Sequence, residues 1–332
     1  MFDAITIGDA VYDTFIKLEK DDISVICPHS RRKGLTCDEP VLCLSYGEKI
    51  AVSDVHFDIG GSASNVAVGL ARQGFKTVLI GAVGKDERGK EILKKLKDEN
   101  VSTSSTLLLK DIKSSFSIII NYRGERTILI HRGLSNYTKL NIPKKINTKL
   151  IFVGPLGVGY EKIYKDVVSL ISTKNIALAL NPGGIQITEK GSALRGVLKV
   201  TNILFLNKEE ARELLDIKRV LEIKEMLSEI KKMGPKTIII TDGPQGAYVF
   251  DGKIFYEMGA SKAERKEATG AGDSFTSGFL GAYLLAKDLK EALQWGVINA
   301  SGVIENIGAQ KGLSSRKQIK KNLKEAPIPR PI

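Results

Sequence analysis

The chain has only three cysteines in 332 residues, all between positions 27 and 43. An odd, sparse set of thiols cannot form the disulfide framework of a small secreted domain, and a chain of this length can bury a full core without one. Cys27, Cys37 and Cys43, with His29 among them, make four potential zinc ligands in one short segment. The spacing contains no C-x-x-C pair, so reduced thiols are the expectation and a metal site the lesser alternative. No segment approaches the roughly 20 apolar residues that span a bilayer. The opening Met-Phe-Asp-Ala-Ile-Thr-Ile-Gly lacks the basic n-region of a signal peptide. These absences predict a soluble, cytoplasmic protein without a membrane partner. Aromatic residues are few, at 6%, and do not alternate with basic ones as base-stacking surfaces do. The net charge of +12 comes from Lys and Arg spread among acidic neighbours, as in Lys90 to Lys97 and Lys218 to Lys232. That pattern reads as solvated helix faces rather than a nucleic-acid surface, and no nucleic-acid partner is expected. Such a charge can still steer an anionic small molecule. No G-x-x-x-x-G-K-[ST] is present, which excludes a P-loop kinase. No G-x-G-x-x-G follows the first strand, which argues against a dinucleotide-dependent oxidoreductase.

What is present is an ordinary globular composition, 42% hydrophobic and 27% charged, arranged as an alternation of strands and helices. β-Branched apolar runs predict buried parallel strands at Ala4 to Ile7, Val78 to Ile80, Leu150 to Val153, Ile176 to Leu180, Ile203 to Phe205 and Thr237 to Ile240. Between them, apolar residues at three- and four-residue steps predict helices at Ser64 to Arg72, Arg88 to Asp98, Lys162 to Ser172, Lys208 to Leu215 and Leu221 to Lys232. The order implies an α/β protein with a parallel sheet covered on both faces. Two regions break it. Phe15 to Phe57 and Ser114 to His131 hold short alternating strands, the second a hairpin of Phe116 to Asn121 and Thr127 to His131 around Arg123-Gly124-Glu125. The tail, Ala326 to Ile332, carries closely spaced prolines that forbid helix and should run extended or frayed.

The most informative stretch is Glu267-Ala-Thr-Gly-Ala-Gly-Asp273-Ser-Phe-Thr-Ser-Gly-Phe279. Gly270-Ala271-Gly272 form a turn that opens an apolar helix, and the amides and positive dipole end of such a helix attract an anion. A carboxylate at Asp273 would repel that anion unless it has its own task. Two readings stand on the residues alone: Asp273 caps a helix beginning near Ser274, or it is a general base taking a proton from a hydroxyl that attacks a phosphate.

A second signal lies far upstream. Gly60-Gly61-Ser62-Ala63-Ser64-Asn65-Val66-Ala67 runs on through Gly74 to Gly81 and Gly84. Gly8-Asp9 ends an opening strand, with Asp13 just beyond. Asn181-Pro182-Gly183, Asn207-Lys208-Glu209-Glu210, Thr241-Asp242-Gly243 with Gly246, and Gly308-Ala309-Gln310 follow in order. Together with the segment around Asp273, this set resembles the ribokinase-like (PfkB) family of carbohydrate and nucleoside kinases, from near residue 5 to near residue 312.

The resemblance implies a three-layer α/β/α fold with a mainly parallel central sheet and a small discontinuous β lid. It places a single kinase domain at 1–325, lid pieces at about 15–57 and 114–131, and the tail at 326–332. It implies an ATP-dependent phosphotransferase acting on a hydroxyl of a sugar, with a nucleoside as the alternative acceptor, and a silent ligand-binding relative as the alternative from another class. Asp273 would be the base, and the amides of Gly270, Ala271 and Gly272 the anion hole. Asp13, Gly60, Gly61 and Asn65 would face the acceptor. Asn207, Thr241, Gly243, Gly246 and, beside the adenine, Asn299 would face the nucleotide. Glu210 would help place magnesium through water, although Asn207 and Glu210 read equally well as a helix cap. The family often dimerises through the lid, so a homodimer is expected. Departures leave other points open. Glu267-Ala268 stand where many relatives have Asp-Thr beside a monovalent-cation loop, which leaves potassium undecided. Ser62 stands where ribokinases often use Lys, and Pro155 where they tend to place a sugar-binding Glu. Arg123, Glu125, Arg126, Arg132 and the insert between Ile26 and Ile50 are candidates for reading a different acceptor; for a nucleoside, Tyr12, Phe57, Phe116 or Tyr122 would cover the base.

Overall fold

The computed structural model describes residues 1–18, 23–26, 41–122, 125–143, 146–217, 219, 221–261, 263, 264 and 266–332. Cys27, His29, Cys37 and the hairpin turn at 123–124 lie outside the described residues. Cys43 is a free, half-buried thiol.

Six parallel strands make the centre of the main sheet, in the order Thr77–Gly84, Ala4–Ile7, Leu150–Val153, Ala177–Leu180, Ile203–Asn207 and Thr237–Thr241. All six expected runs are therefore strands, and all six are parallel. Strict alternation along them feeds two cores. Ile5, Ile7, Ile151, Val153, Leu178, Leu180, Leu204, Leu206, Ile238 and Ile240 pack with the helices Tyr160–Ser172, Ser192–Leu198, Lys208–Leu215 and Ile223–Lys232. Ala4, Leu150, Phe152, Ala179, Ile203, Phe205 and Ile239 pack on the other face with Ser62–Arg72, Ala271–Leu284 and Leu289–Ile304. Each such aliphatic side chain contributes about 1.5–3 kcal/mol by leaving water, which is why both faces of the sheet are covered.

Beyond Thr237–Thr241 the sheet continues antiparallel through Ala247–Phe250, Phe255–Met258 and Arg330–Pro331. The tail is thus pinned rather than frayed: Arg330 and Pro331 pair with Glu257 and Tyr256, and the Ile332 N–H donates to Phe255 O at 3.1 Å. An edge strand tolerates Pro331 because its missing N–H faces no neighbour.

A separate four-stranded sheet has the order Glu125–His131, Phe116–Tyr122, Val11–Leu18, Val52–Gly60, with Val11–Leu18 parallel to Phe116–Tyr122 and the other neighbours antiparallel. A two-stranded piece joins Ile23–Ile26 to Val41–Leu44. This is the expected lid, and its first piece reaches further than 15–57: it starts at Val11, two residues after Asp9, and ends at Gly60, with the single residue Gly61 before the helix Ser62–Arg72. The chain crosses between main sheet and lid four times, and the first two crossings, at Gly8-Asp9 and Gly60-Gly61, run through the glycine motifs.

Two small residues decide how close the helices come. A Cβ built on Gly69 would lie 2.2 Å from Ser277 Oγ, and one on Gly278 would lie 2.4 Å from Trp295 O. The helices Ser62–Arg72 and Ala271–Leu284 consequently touch backbone to side chain, and their N-terminal ends meet at the carboxyl edge of the sheet.

Candidate active site

The helix Ala271–Leu284 starts three residues earlier than Ser274. Gly270 takes the left-handed conformation at its N-cap, φ 80°, in a space where a Cβ would lie 2.6 Å from Ala309 Cβ. The Ala271 N–H closes the turn onto Ala268 O at 3.2 Å, and the Ser274 N–H donates to Gly270 O at 2.8 Å. This corrects one detail of the expected anion hole: the Ala271 amide is committed to the turn. The Gly272 and Asp273 N–H groups carry no protein partner among the described residues, and nothing lies within 4 Å of a Cβ built on Gly272. Two amides and the helix dipole thus face an open space.

Asp273 is not the cap. It sits inside the first turn, and its carboxylate is held across the helix interface by the other helix: Ser62 Oγ donates to Oδ1 at 2.6 Å and Asn65 Nδ2 donates to Oδ2 at 2.8 Å. Asn65 is buried, and its own oxygen accepts from Gln310 Nε2 at 3.0 Å, which fixes the direction of the amide. Burial pushes the Asp273 carboxyl above the usual carboxylate range, and the Ser62 and Asn65 hydrogen bonds oppose the rise.

Asp13 lies on the lid strand Val11–Leu18, 5% exposed, and accepts from Ser117 Oγ at 2.5 Å. Burial pushes it up to about 7, with the charges of Asp58, Glu267 and Asp273 adding to the rise. Gly60 has no room for a side chain, since a Cβ there would lie 2.0 Å from Asp13 Oδ2. Gly61, φ 93°, would meet Asp9 O at 2.6 Å. The two glycines therefore serve a tight strand-to-helix turn and also let backbone approach the crevice. Asp9 is buried, which raises its carboxyl; it accepts from Tyr137 Oη and from Arg132 Nη1, the latter at 2.9 Å.

On the neighbouring strand ends, Asn207 and Glu210 cap each other reciprocally. Asn207 Oδ1 accepts from the Glu210 N–H at 2.7 Å, and Glu210 Oε2 accepts from the Asn207 N–H at 2.8 Å. The cap reading is thus geometrically satisfied. Burial nevertheless raises the Glu210 carboxyl, and Asp273 raises it further through charge, which puts this cap within the field of the candidate base. Thr241 pairs with Asn207 at the end of the next strand. The loop after it is closed by the Asp242 N–H donating to Gly246 O at 2.8 Å and braced by Lys208 Nζ to Asp242 Oδ2 at 2.6 Å. Gly243, φ 49°, and Gly246, φ 100°, lie in that loop, and a Cβ on Gly246 would strike Met258 O at 2.0 Å.

Asn299 takes a different place. Its side chain is fully buried, donates to Ser274 O at 2.8 Å and Ser277 Oγ at 2.9 Å, and accepts from the Ser314 N–H at 2.8 Å. With its amide spent on the protein, it ties the helix Leu289–Ile304 to Ala271–Leu284 rather than facing an adenine. Three of the aromatic candidates also turn away from Asp13, and the side chain of Tyr122 lies outside what is described. Tyr12, Phe57 and Phe116 gather on one lid face, with Tyr12 and Phe57 ring centroids 5.9 Å apart and Tyr12 opposite Phe116. Strand alternation puts Asp13 and Ser117 on the opposite face. Arg88 covers the Phe116 ring at 4.5 Å. Ser62 and Gln310, which the sequence motifs contain without assigning them a role, are the hydrogen-bond neighbours of Asp273 and Asn65.

Glu267 is buried. Its Oε1 accepts from the Thr269 N–H at 2.7 Å and Thr269 Oγ1 at 2.5 Å, while Oε2 has no hydrogen-bond partner among the described residues. No group of three or more His, Cys, Asp or Glu side chains positioned to hold a metal occurs among the described residues. No helix among them is long and apolar enough to cross a membrane.

Comparison with known proteins bears on the family and the fold. The family described as pfkB family carbohydrate kinase matches residues 34–316. An uncharacterized sugar kinase of Archaeoglobus fulgidus is 27% identical over 254 residues, covering 74% of this chain and 98% of that protein. A nucleoside kinase of Methanocaldococcus jannaschii is 26% identical over 272 residues, covering 80% and 85%. Among solved structures, Arabidopsis thaliana ribokinase complexed with ribose and ATP superposes with a TM-score of 0.78 at 20% identity, over 97% of this chain and 99% of that one.

Proposed function

The chain belongs to the pfkB family of carbohydrate kinases, and from that premise we propose that it transfers the γ-phosphate of ATP to a hydroxyl of a sugar, with Asp273 as the general base. One observation carries the reading: a carboxylate raised by burial stands beside two unpartnered amides at a helix N-terminus. The amides of Gly272 and Asp273 face the oxygens of the transferring group, where charge is redistributed in the transition state. Asp273 takes the acceptor proton as the acceptor oxygen attacks the γ-phosphorus and ADP leaves. Its raised proton affinity brings it nearer to neutral operating pH, which suits general-base work.

Asp13 and the Gly60–Gly61 backbone address the acceptor, with Asn65 between acceptor and base. Thr241, Gly243 and Gly246 border the nucleotide. The carboxylates suit magnesium held through water, since no three of them among the described residues come together as direct ligands. The charges of Glu267 and Asp273 raise Asp13, and that of Asp273 raises Glu210; a triphosphate entering that field needs a divalent counter-charge, which magnesium would supply when bound. Asn207 and Glu210 would hold it through water, as magnesium keeps much of its hydration shell and Asn207 Oδ1 and Glu210 Oε2 already close the cap. Glu267 offers a fit for a monovalent cation, since Oε2 is a buried carboxylate oxygen with no hydrogen-bond partner among the described residues. Exchange of potassium for tetramethylammonium tests this, and an unchanged rate removes that cation from the reading.

A sugar acceptor is favoured over a nucleoside because Tyr12, Phe57 and Phe116 stand on the face away from Asp13. The proposed arrangement is one kinase domain with the lid inserted, extended past 325 to take in the tail strand Arg330–Pro331, assembled as a homodimer through that lid. The test is ADP release from ATP and magnesium against ribose, fructose, other hexoses, sugar phosphates, adenosine, cytidine and inosine. Acceptor-dependent ADP should fall by about 10²-fold or more in Asp273→Asn, the scale of general-base catalysis, while nucleotide affinity measured by calorimetry holds. Transfer that survives in the variant would remove Asp273 from the role.

A further inference from the structure

Both oxygens of Asp273 are occupied, but by partners of different kinds. Oδ2 is held by Asn65, which is buried and locked in turn by Gln310. Oδ1 is held by Ser62, a half-buried hydroxyl at the first position of its helix, whose Oγ makes no other hydrogen bond among the described residues. One bond is built in; the other is released by a single χ1 rotation of a serine.

The Ser62 bond has the form of the productive encounter. A hydroxyl donates to the carboxylate at 2.6 Å, the geometry an acceptor hydroxyl must adopt before losing its proton. Resting on the reading of Asp273 as base, we propose that Ser62 is a stand-in for the acceptor: its hydroxyl occupies Oδ1 while the acceptor is absent and thereby keeps Asp273 from activating water against ATP. In the reaction it suppresses, the water oxygen would bond to the γ-phosphorus, the bond from that phosphorus to its bridging oxygen would break, and the water proton would pass to Asp273, leaving ADP and inorganic phosphate. A sugar hydroxyl, brought in by the remaining contacts of its ring, displaces Ser62. A lone water has no such contacts to assist it. Ser62 is therefore a positioning residue, acting through Asp273.

The experiment compares wild type, Ser62→Ala and Ser62→Thr for ADP release from ATP and magnesium, with no acceptor and with the acceptor panel. The readout is the ratio of acceptor-free to acceptor-dependent turnover, which simple loss of folded enzyme does not move. Ser62→Ala should raise the ratio roughly tenfold, the factor that loss of one hydrogen bond to a charged group supplies, and Ser62→Thr, which keeps the hydroxyl, should stay near wild type. An unchanged ratio in Ser62→Ala overturns the proposal. So does covalent phosphate on Ser62 in the intact-mass spectrum after incubation with ATP alone, since the serine would then be an acceptor itself. A second readout needs no turnover: in ligand-free protein with ¹³C-labelled aspartate, the Asp273 carboxyl midpoint should move up in Ser62→Ala, and an unmoved midpoint means that the bond is absent in solution. Wild-type transfer to an acceptor alongside an unchanged ratio sinks the stand-in alone. Absence of transfer to every acceptor sinks the base reading, and the stand-in with it.

Discussion

Asp13 offers the sharpest test of the electrostatics of the crevice. The residue is 5% exposed, and its carboxyl, which accepts from Ser117 and from no other donor among the described residues, is pushed from 3.8 up to about 7. A folded pKa above the unfolded one means that folding favours the neutral acid. The associated stability is full below the unfolded value and disappears as pH rises through the folded value. At about 1.4 kcal/mol per unit, the complete loss is about 4 kcal/mol, and about 3 kcal/mol of it falls between roughly pH 5 and pH 8. Asp13→Asn preserves the shape and an acceptor for Ser117 but removes the proton. Urea unfolding of ligand-free protein at the two pH values should therefore show wild type losing about 3 kcal/mol relative to Asp13→Asn. Because the comparison is a difference of differences, titration of every other group cancels to first order. Parallel pH dependence of the two proteins would show that Asp13 is already ionised in the native state, and the crevice would then be wetter than its burial indicates.

The two glycines of the anion-binding turn should separate stability from chemistry. Gly270→Ala places a Cβ at a left-handed residue against Ala309 and should cost about 1–3 kcal/mol in denaturant unfolding; Gly272→Ala meets nothing within 4 Å, so the protein should remain as stable as wild type while transfer falls, because the methyl enters the space that the phosphate would use. Asn299→Leu removes two donated bonds and strands the buried Ser314 N–H, an expected loss of about 3 kcal/mol with no selective effect on nucleotide affinity; selective weakening of nucleotide binding in a stable variant would return Asn299 to the nucleotide site. Ile128, Leu129 and Ile130 are consecutive exposed residues, 43%, 54% and 49%, on the edge strand of the lid. Ile130→Lys should dissociate a lid-mediated dimer in sedimentation velocity, and a wild-type monomer at all concentrations would dismiss that dimer.

The parallel strands were legible because burial on both faces demands continuous β-branched runs, and such runs have few other homes in a chain that also shows helical periodicity. The antiparallel extension was less so. Asp251-Gly252 does carry a turn signal: Asp251 Oδ1 accepts from the Lys253 and Ile254 amides, and Gly252 has φ 94°. The flanking Ala247–Phe250 and Phe255–Met258 strands are only four residues each, too short for alternation to stand out. Asn207-x-x-Glu210 is a case in which local and functional readings share one pattern. The residues that cap a helix end also put a carboxylate at the carboxyl edge of the sheet.

Asp273 shows where linear reading stops. Its motif announces an anion-binding helix entry, yet what the carboxylate does there depends on Ser62 and Asn65, more than 200 positions away in the chain. Their arrival is set by glycines that carry no chemistry. Gly69 against Ser277 brings the helices together, and Gly61 turns the chain so that Ser62 begins its helix facing the crevice. A Cβ at Gly69 would have to displace Ser277, and the displacement would pass along the helix to the Ser62–Asp273 contact. Gly69→Ala should therefore lower turnover by weakening that alignment, even though residue 69 lies two helical turns from the carboxylate it positions.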